Sequence, residues 1–190
     1  MANKPTSDGE SLAWYFAKEK HKGQMRKFVN KSYFDAHVQK VNGRVKLYST
    51  DEDELIIALL HDVAEDCFKN KWEAYSIIKA LFSSEIADCV LELTSDKDEI
   101  KYKYSGDKGA YLIDKMLKMS EKAFTVKLAD RLENINDAFT ADESFRNKYY
   151  IETTRILKNI EGKRSFSKKQ KLIFNDIKAK LENVKSIFKL

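Results

Sequence analysis

The sequence predicts an all-α fold, and three observations carry that prediction. One proline and six glycines in 190 residues leave few obligatory breaks. Lys, Glu, Leu, Ile and Ala are abundant, and all suit a helix interior better than Gly or Pro. Apolar residues recur every three or four positions along most of the chain, the period of a helix that buries one face. With 43% hydrophobic and 12% aromatic residues the composition is globular, and the length suits one substantial core. A single domain over residues 1–190 is expected, with the stretch 144–190 packed on it as two C-terminal helices.

The 35 basic and 30 acidic residues are intermixed and leave a net charge of +5. That balance fits a polyphosphorylated small ligand if the excess gathers at a cleft, and fits plain solubility equally well. No apolar run approaches the roughly 18 residues of a membrane span, and Met1 to Glu10 lacks a hydrophobic signal core, so a cytoplasmic chain with no membrane contact is expected. Cys67 and Cys89 are isolated, which indicates neither a zinc knuckle nor a disulfide framework and predicts two buried thiols.

In chain order, Ser11–Lys22 reads as the first helix, with Leu12, Tyr15, Phe16 and Glu19 marking its turns, Ser7 or Asp8 as its cap and Gly23 as its end. An irregular segment carrying the basic pair Arg26 and Lys27 leads into a second helix, which contains His37 and is predicted to end at Asn42-Gly43. On spacing alone, Arg26 and Lys27 read as a solvated pair and His37 as a partly buried histidine bonded to backbone. Acidic residues at 51–54 open a third helix, predicted to run unbroken from Asp53 to Cys67. There His61, Asp62, Glu65 and Asp66 would sweep one side, and Ile56, Leu59, Leu60, Val63 and Cys67 the other. Adjacent His61 and Asp62 can offer a nitrogen and an oxygen to one divalent cation, with Glu65 and Asp66 one turn on to handle the protons of a water. An exposed acidic face with one histidine is equally compatible with these residues alone.

Two scaffold helices follow at 71–82 and 84–93, with Ile77, Ile78 and Leu81, then Ile86, Val90 and Leu93, on their apolar stripes. Thr94–Gly109 is polar and glycine-punctuated, and reads as a surface loop or a lid. Helices are predicted at 110–119 and 124–139; on the second, Leu128, Leu132 and Ile135 face the core while Asp130, Asn134 and Asp137 align opposite. Helices at 144–160 and 168–190 close the chain. The last puts Ile173, Ile177, Leu181, Val184 and Phe188 on one stripe, and Asp176 and Glu182 interrupt its lysines. It reads as core packing or a subunit contact rather than a membrane or nucleic-acid surface, in a monomer or homodimer.

Four stretches, in order, carry a family resemblance. They are His21-Lys22-Gly23-Gln24-Met25-Arg26-Lys27, Ser32-Tyr33-Phe34-Asp35-Ala36-His37, Ala58-Leu59-Leu60-His61-Asp62-Val63-Ala64-Glu65-Asp66, and Val126-Lys127-Leu128-Ala129-Asp130-Arg131-Leu132-Glu133-Asn134. Together they resemble the hydrolase domain of the RelA/SpoT alarmone enzymes, within the HD-domain phosphohydrolase superfamily, over about residues 11–160. The resemblance implies a compact helical HD-domain bundle in which His37, His61, Asp62 and Asp130 hold one divalent metal, usually Mn²⁺, with another divalent metal possible. It implies Glu65 and Asp66 as the catalytic acidic pair, and Arg26, Lys27, Tyr33, Asn134 and Tyr150 as residues near the nucleotide.

The implied reaction is hydrolysis of the 3′-diphosphate of guanosine tetra- or pentaphosphate to GDP or GTP and pyrophosphate. No synthetase domain follows, so the expectation is a stand-alone hydrolase similar to the small alarmone hydrolases and the metazoan SpoT homologue. Phosphatase action on another nucleotide such as NADPH, or nucleotide sensing without turnover, are the alternatives. The chain departs from the family in three places. Val38 replaces a proline, Phe28-Val29-Asn30-Lys31 replaces a glycine-proline turn, and Asp137 stands where long bifunctional enzymes tend to have threonine.

Overall fold

A computed structural model describes residues 4–27, 29–137 and 139–189. As expected for an all-α chain, the regular elements among the described residues are helical, apart from an isolated antiparallel bridge between Met25 and Ser32. The chain forms two compact units: Met1–Ser95 with Ser120–Val126, and Asp96–Met119 with Lys127–Leu190.

The first unit holds α1 (Asp8–Lys20), a π-helical turn (Phe34–Val38), α2 (Gln39–Lys46), α3 (Glu52–Leu60), α4 (Val63–Asp66), α5 (Lys71–Leu81) and α6 (Ser84–Leu93). Helix α3 is its axis. Asp51 caps it by accepting from the backbone N–H groups of Asp53 and Glu54, and every residue from Leu55 to Leu60 is buried. A helix apolar all round belongs in an interior, and α3 packs on α1, α2 and α6. Each of its buried leucines and isoleucines contributes about 1.5–3 kcal/mol.

The stripe expected on α1 is not the buried one. Leu12 and Tyr15 are exposed, and Glu10, Ala13, Ala17 and the C-cap His21 face inward. The reason is close approach between helices: a Cβ added to Gly9 would lie 2.7 Å from Glu52 Oε1, so small residues line this contact. Glu10 is compensated by Lys46 Nζ at 2.6 Å and by the Asn42 amide at 3.0 Å. Asn42 also donates to the Leu55 carbonyl, so it is a buried link inside α2 rather than the helix end its sequence suggests. On α5, Leu81 is exposed and Ala74 and Ile78 make the buried stripe.

The second unit holds α7 (Lys97–Tyr102), α8 (Lys108–Lys118), most of α9 (Glu121–Asp137), α10 (Glu143–Ile160) and α11 (Lys168–Phe188). The stretch predicted as a loop therefore contains a helix, α7, capped by Asp96; its exit turn uses Gly106 at φ 82°. Helix α10 packs on α8 and α11, burying Ile156, Leu157 and Ile160, and Ser167 and Gln170 form a reciprocal capping box at the start of α11. Leu190, in the stretch predicted to end α11, lies outside the described residues. Both cysteines are free thiols; Cys89 is buried as expected, while Cys67 is only half-buried. No helix among the described residues is long and apolar enough to cross a membrane.

Candidate metal centre and active site

The predicted continuous helix over 53–67 is broken where its chemistry lies. Helix α3 stops at Leu60, His61 is its C-cap, Asp62 takes φ −103°, ψ −5°, and α4 begins at Val63. That sparsely used backbone region re-aims two consecutive side chains that an unbroken helix would splay by 100°. Both meet His37, which the π-helical turn presents from its buried side. Where the family has proline, Val38 is fully buried and the Gln39 N–H reaches back to the Phe34 carbonyl, so packing and a widened turn position His37 here.

The His61 and His37 Nε2 atoms are 3.3 Å apart, Asp62 Oδ2 lies 2.9 Å from the first and 3.4 Å from the second, and both rings are buried. A cation with bonds of about 2.1 Å has octahedral neighbours about 3.0 Å apart and tetrahedral neighbours about 3.4 Å apart, so the three ligand atoms are spaced as if around one ion. His61 Nδ1 sits 2.7 Å from the Ala58 carbonyl, which only accepts; Nδ1 therefore carries a proton, and Nε2 points at the cluster. Two imidazole nitrogens with one carboxylate suit Mn²⁺ and similar cations. Burial would raise the Asp62 pKa, but the flanking His61 and His37 outweigh it and hold the carboxyl well below its ordinary range.

Of the remaining predicted residues of this unit, Tyr33 meets that cluster directly. The Tyr33 hydroxyl donates to Asp62 Oδ2, and burial together with the Asp62 charge raises the phenol pKa. Tyr33 thus touches a ligand candidate. The Arg26 guanidinium lies over the Tyr33 ring at 5.4 Å, and Lys27 is exposed. Although the glycine-proline turn is missing, the segment closes through Arg26 N–H to the Lys31 carbonyl and Tyr33 N–H to the Gln24 carbonyl; Phe28 lies outside the described residues. Glu65 Oε2 accepts from the Ser95 N–H at 2.8 Å, and Asp66 is exposed. Cys67, expected on the apolar side, instead meets His21 Nδ1 at 3.4 Å.

Within the second unit, Asp130 is buried on α9 and receives Lys127 Nζ at 2.9 Å and the Asn134 amide at 2.5 Å. Asp137 is half-buried, and so is Tyr150 on α10. Arg131 is buried, donates to Glu152 and Thr153 of α10, and stacks on Tyr149 at 4.8 Å. Sequence reading assigned no role to Lys127 or Arg131. The signal available was two cations at i and i+4 flanking an aspartate on a helix that buries Leu128, Leu132 and Ile135.

The HD domain family model matches residues 13–165. The chain is 30% identical over 156 residues to the guanosine-3′,5′-bis(diphosphate) 3′-pyrophosphohydrolase MESH1 of Drosophila melanogaster, a match covering 77% of this chain and 82% of the fly protein. It is 32% identical over 148 residues to the guanosine-3′,5′-bis(diphosphate) 3′-pyrophosphohydrolase of Aquifex aeolicus, covering 76% of this chain and 20% of that longer protein. A solved structure described as a metazoan orthologue of SpoT that hydrolyses ppGpp superposes with TM-score 0.74 at 25% identity, covering 96% of this chain and 97% of its own.

Proposed function

This chain belongs to the HD-domain family, and on that premise we propose that it is a divalent-metal-dependent hydrolase of guanosine 3′,5′-bis(diphosphate) and its pentaphosphate, releasing pyrophosphate and leaving GDP or GTP. The observation that carries the proposal is the convergence of His37, His61 and Asp62 on one point, with a proton-handling acidic pair starting three residues later. His37, His61 and Asp62 would hold the cation, Mn²⁺ by its preference for mixed nitrogen and oxygen ligands, and the motif match adds Asp130 as the fourth ligand. When bound, such a cation makes hydroxide available near neutral pH and offsets charge on the phosphate under attack.

The chain's own groups supply the rest. Tyr33 holds the Asp62 carboxylate by its hydroxyl, which fixes one ligand oxygen before any cation arrives. Glu65, pinned by the Ser95 N–H, orients the attacking water and takes its proton; exposed Asp66 passes a proton to the departing oxygen or to solvent. Arg26 and Lys27 offset phosphate charge, Arg26 with its plane set against Tyr33. Asn134 and Tyr150 complete the nucleotide contacts by motif match.

A screen of phosphorylated nucleotides with Mn²⁺ present, reading phosphate and pyrophosphate separately, tests this. Pyrophosphate from guanosine tetraphosphate at the highest kcat/KM is expected. Phosphate from NADPH as the preferred reaction would move the substrate, and tight nucleotide binding without turnover would make the chain a sensor.

A further inference from the structure

His21 and Gln24 belong to the first motif, yet the mechanism above uses neither. His21 is 1% exposed and is one of three histidines in the chain. Its Nδ1 lies 2.8 Å from Gln24 Oε1, while Gln24 Nε2 donates to the Asp66 carbonyl at 3.2 Å and approaches Cys67 Sγ at 3.8 Å. A carbonyl only accepts, so the amide nitrogen must face Asp66 and the amide oxygen must face His21; Nδ1 therefore carries the proton. The backbone carbonyl of Gln24 meanwhile accepts from Tyr33 N–H, and the His21 ring lies 5.2 Å from the Tyr33 ring at 33°. One amide side chain thus joins three parts of the first unit: the end of α1, the base of the basic turn that carries Arg26 and Lys27, and the end of α4 that carries Glu65 and Asp66.

We infer that His21 and Gln24 are positioning residues, a two-bond strut that sets the basic turn in register with the acidic pair. The inference rests on the proposed reaction, in which the basic turn and the acidic pair act on the same phosphate. A strut of this kind acts on alignment in the transition state and not on the ligand atoms. Its loss therefore lowers kcat while Mn²⁺ affinity is kept.

The test compares wild type with Gln24→Met, His21→Leu and His21→Asn, each measured well below its own unfolding temperature. Asn returns an N–H donor near the position of His21 Nδ1. Gln24→Met and His21→Leu are expected to lower kcat by about tenfold, the scale of supporting-shell losses, with KM and Mn²⁺ affinity within about twofold of wild type. His21→Asn is expected to recover most of kcat. Equal kcat in all four proteins, with only the unfolding temperature changed, would overturn the strut, as would failure of His21→Asn to do better than His21→Leu.

Amide hydrogen exchange supplies an arm independent of activity. Gln24→Met should deprotect residues 24–33 and 62–67 together and leave α6 unchanged. Loss confined to α1, or no loss, counts against the strut. If wild type hydrolyses no nucleotide, the proposed reaction fails while this arm still decides whether the strut exists.

Discussion

Two buried carboxylates in the first unit are handled in opposite ways. Glu10 is closed by a permanent cation, Lys46 at 2.6 Å, with Asn42 and Thr6 bonding its oxygens. Asp62 receives two imidazoles and a tyrosine hydroxyl, none of which carries a permanent positive charge. Both carboxyls are held below their ordinary pKa against burial, Glu10 by Lys46 and its hydrogen bonds, and Asp62 by His61 and His37. A structural carboxylate is paired with a lysine of the chain; a carboxylate set among two imidazoles and a hydroxyl belongs to a donor set that suits a cation.

The comparison is broken most sharply by exchanging the two roles. Asp62→Asn should lower turnover on the order of 10³-fold, the rate equivalent of about 4 kcal/mol, with circular dichroism and unfolding temperature nearly unchanged without metal. Lys46→Met should do the reverse, since an uncompensated Glu10 costs about 3–5 kcal/mol in urea unfolding while kcat of the folded fraction is kept. Restoration of stability in the double variant with Glu10→Met would confirm that the cost lies in the unpaired charge.

Metal addition should raise the stability of wild type but not of Asp62→Asn. At a free Mn²⁺ concentration about 100 times Kd the gain is about 2.7 kcal/mol, read by thermal unfolding, and it should vanish on chelation and in Asp62→Asn. Lys46→Met should still show it.

The smallest effect belongs to His21, whose pKa burial lowers against the raising effect of its bond to Gln24. A histidine with a folded pKa below its unfolded value of about 6.5 leaves the unfolded chain binding more protons in acid. Stability should therefore be level above about pH 7 and decline as pH falls through 6.5 toward the lowered folded pKa. In His21→Asn this part of the decline should be missing.

The sequence was legible where structure is decided locally. The helices predicted at 84–93 and 144–160 are α6 and α10 to within a residue, and in each a side-chain oxygen one residue ahead of the helix, Ser83 or Asp142, settles its start. The break at His61 and Asp62 was not legible, since Leu59, Leu60 and Val63 keep a helical period through it; the turn answers to packing around the site rather than to local preference. On α1 the stripe was misread because small and charged residues occupy the buried face, which only the proximity of α3 explains. His37 was reached through motif order and not through spacing, as 24 residues separate it from His61. His21 and Gln24 stood inside a quoted motif without a role, because an amide bridging two backbone segments leaves no pattern in one dimension.

The central claim is that the His37, His61 and Asp62 cluster is a metal centre that serves hydrolysis. The most direct test titrates Mn²⁺ into metal-stripped protein while following pyrophosphate release from guanosine tetraphosphate. Release should be absent at the start, rise with the first equivalent and level off, and Asp62→Asn should stay flat throughout. Release at full rate from the stripped protein, or an unchanged titration in Asp62→Asn, would contradict the account.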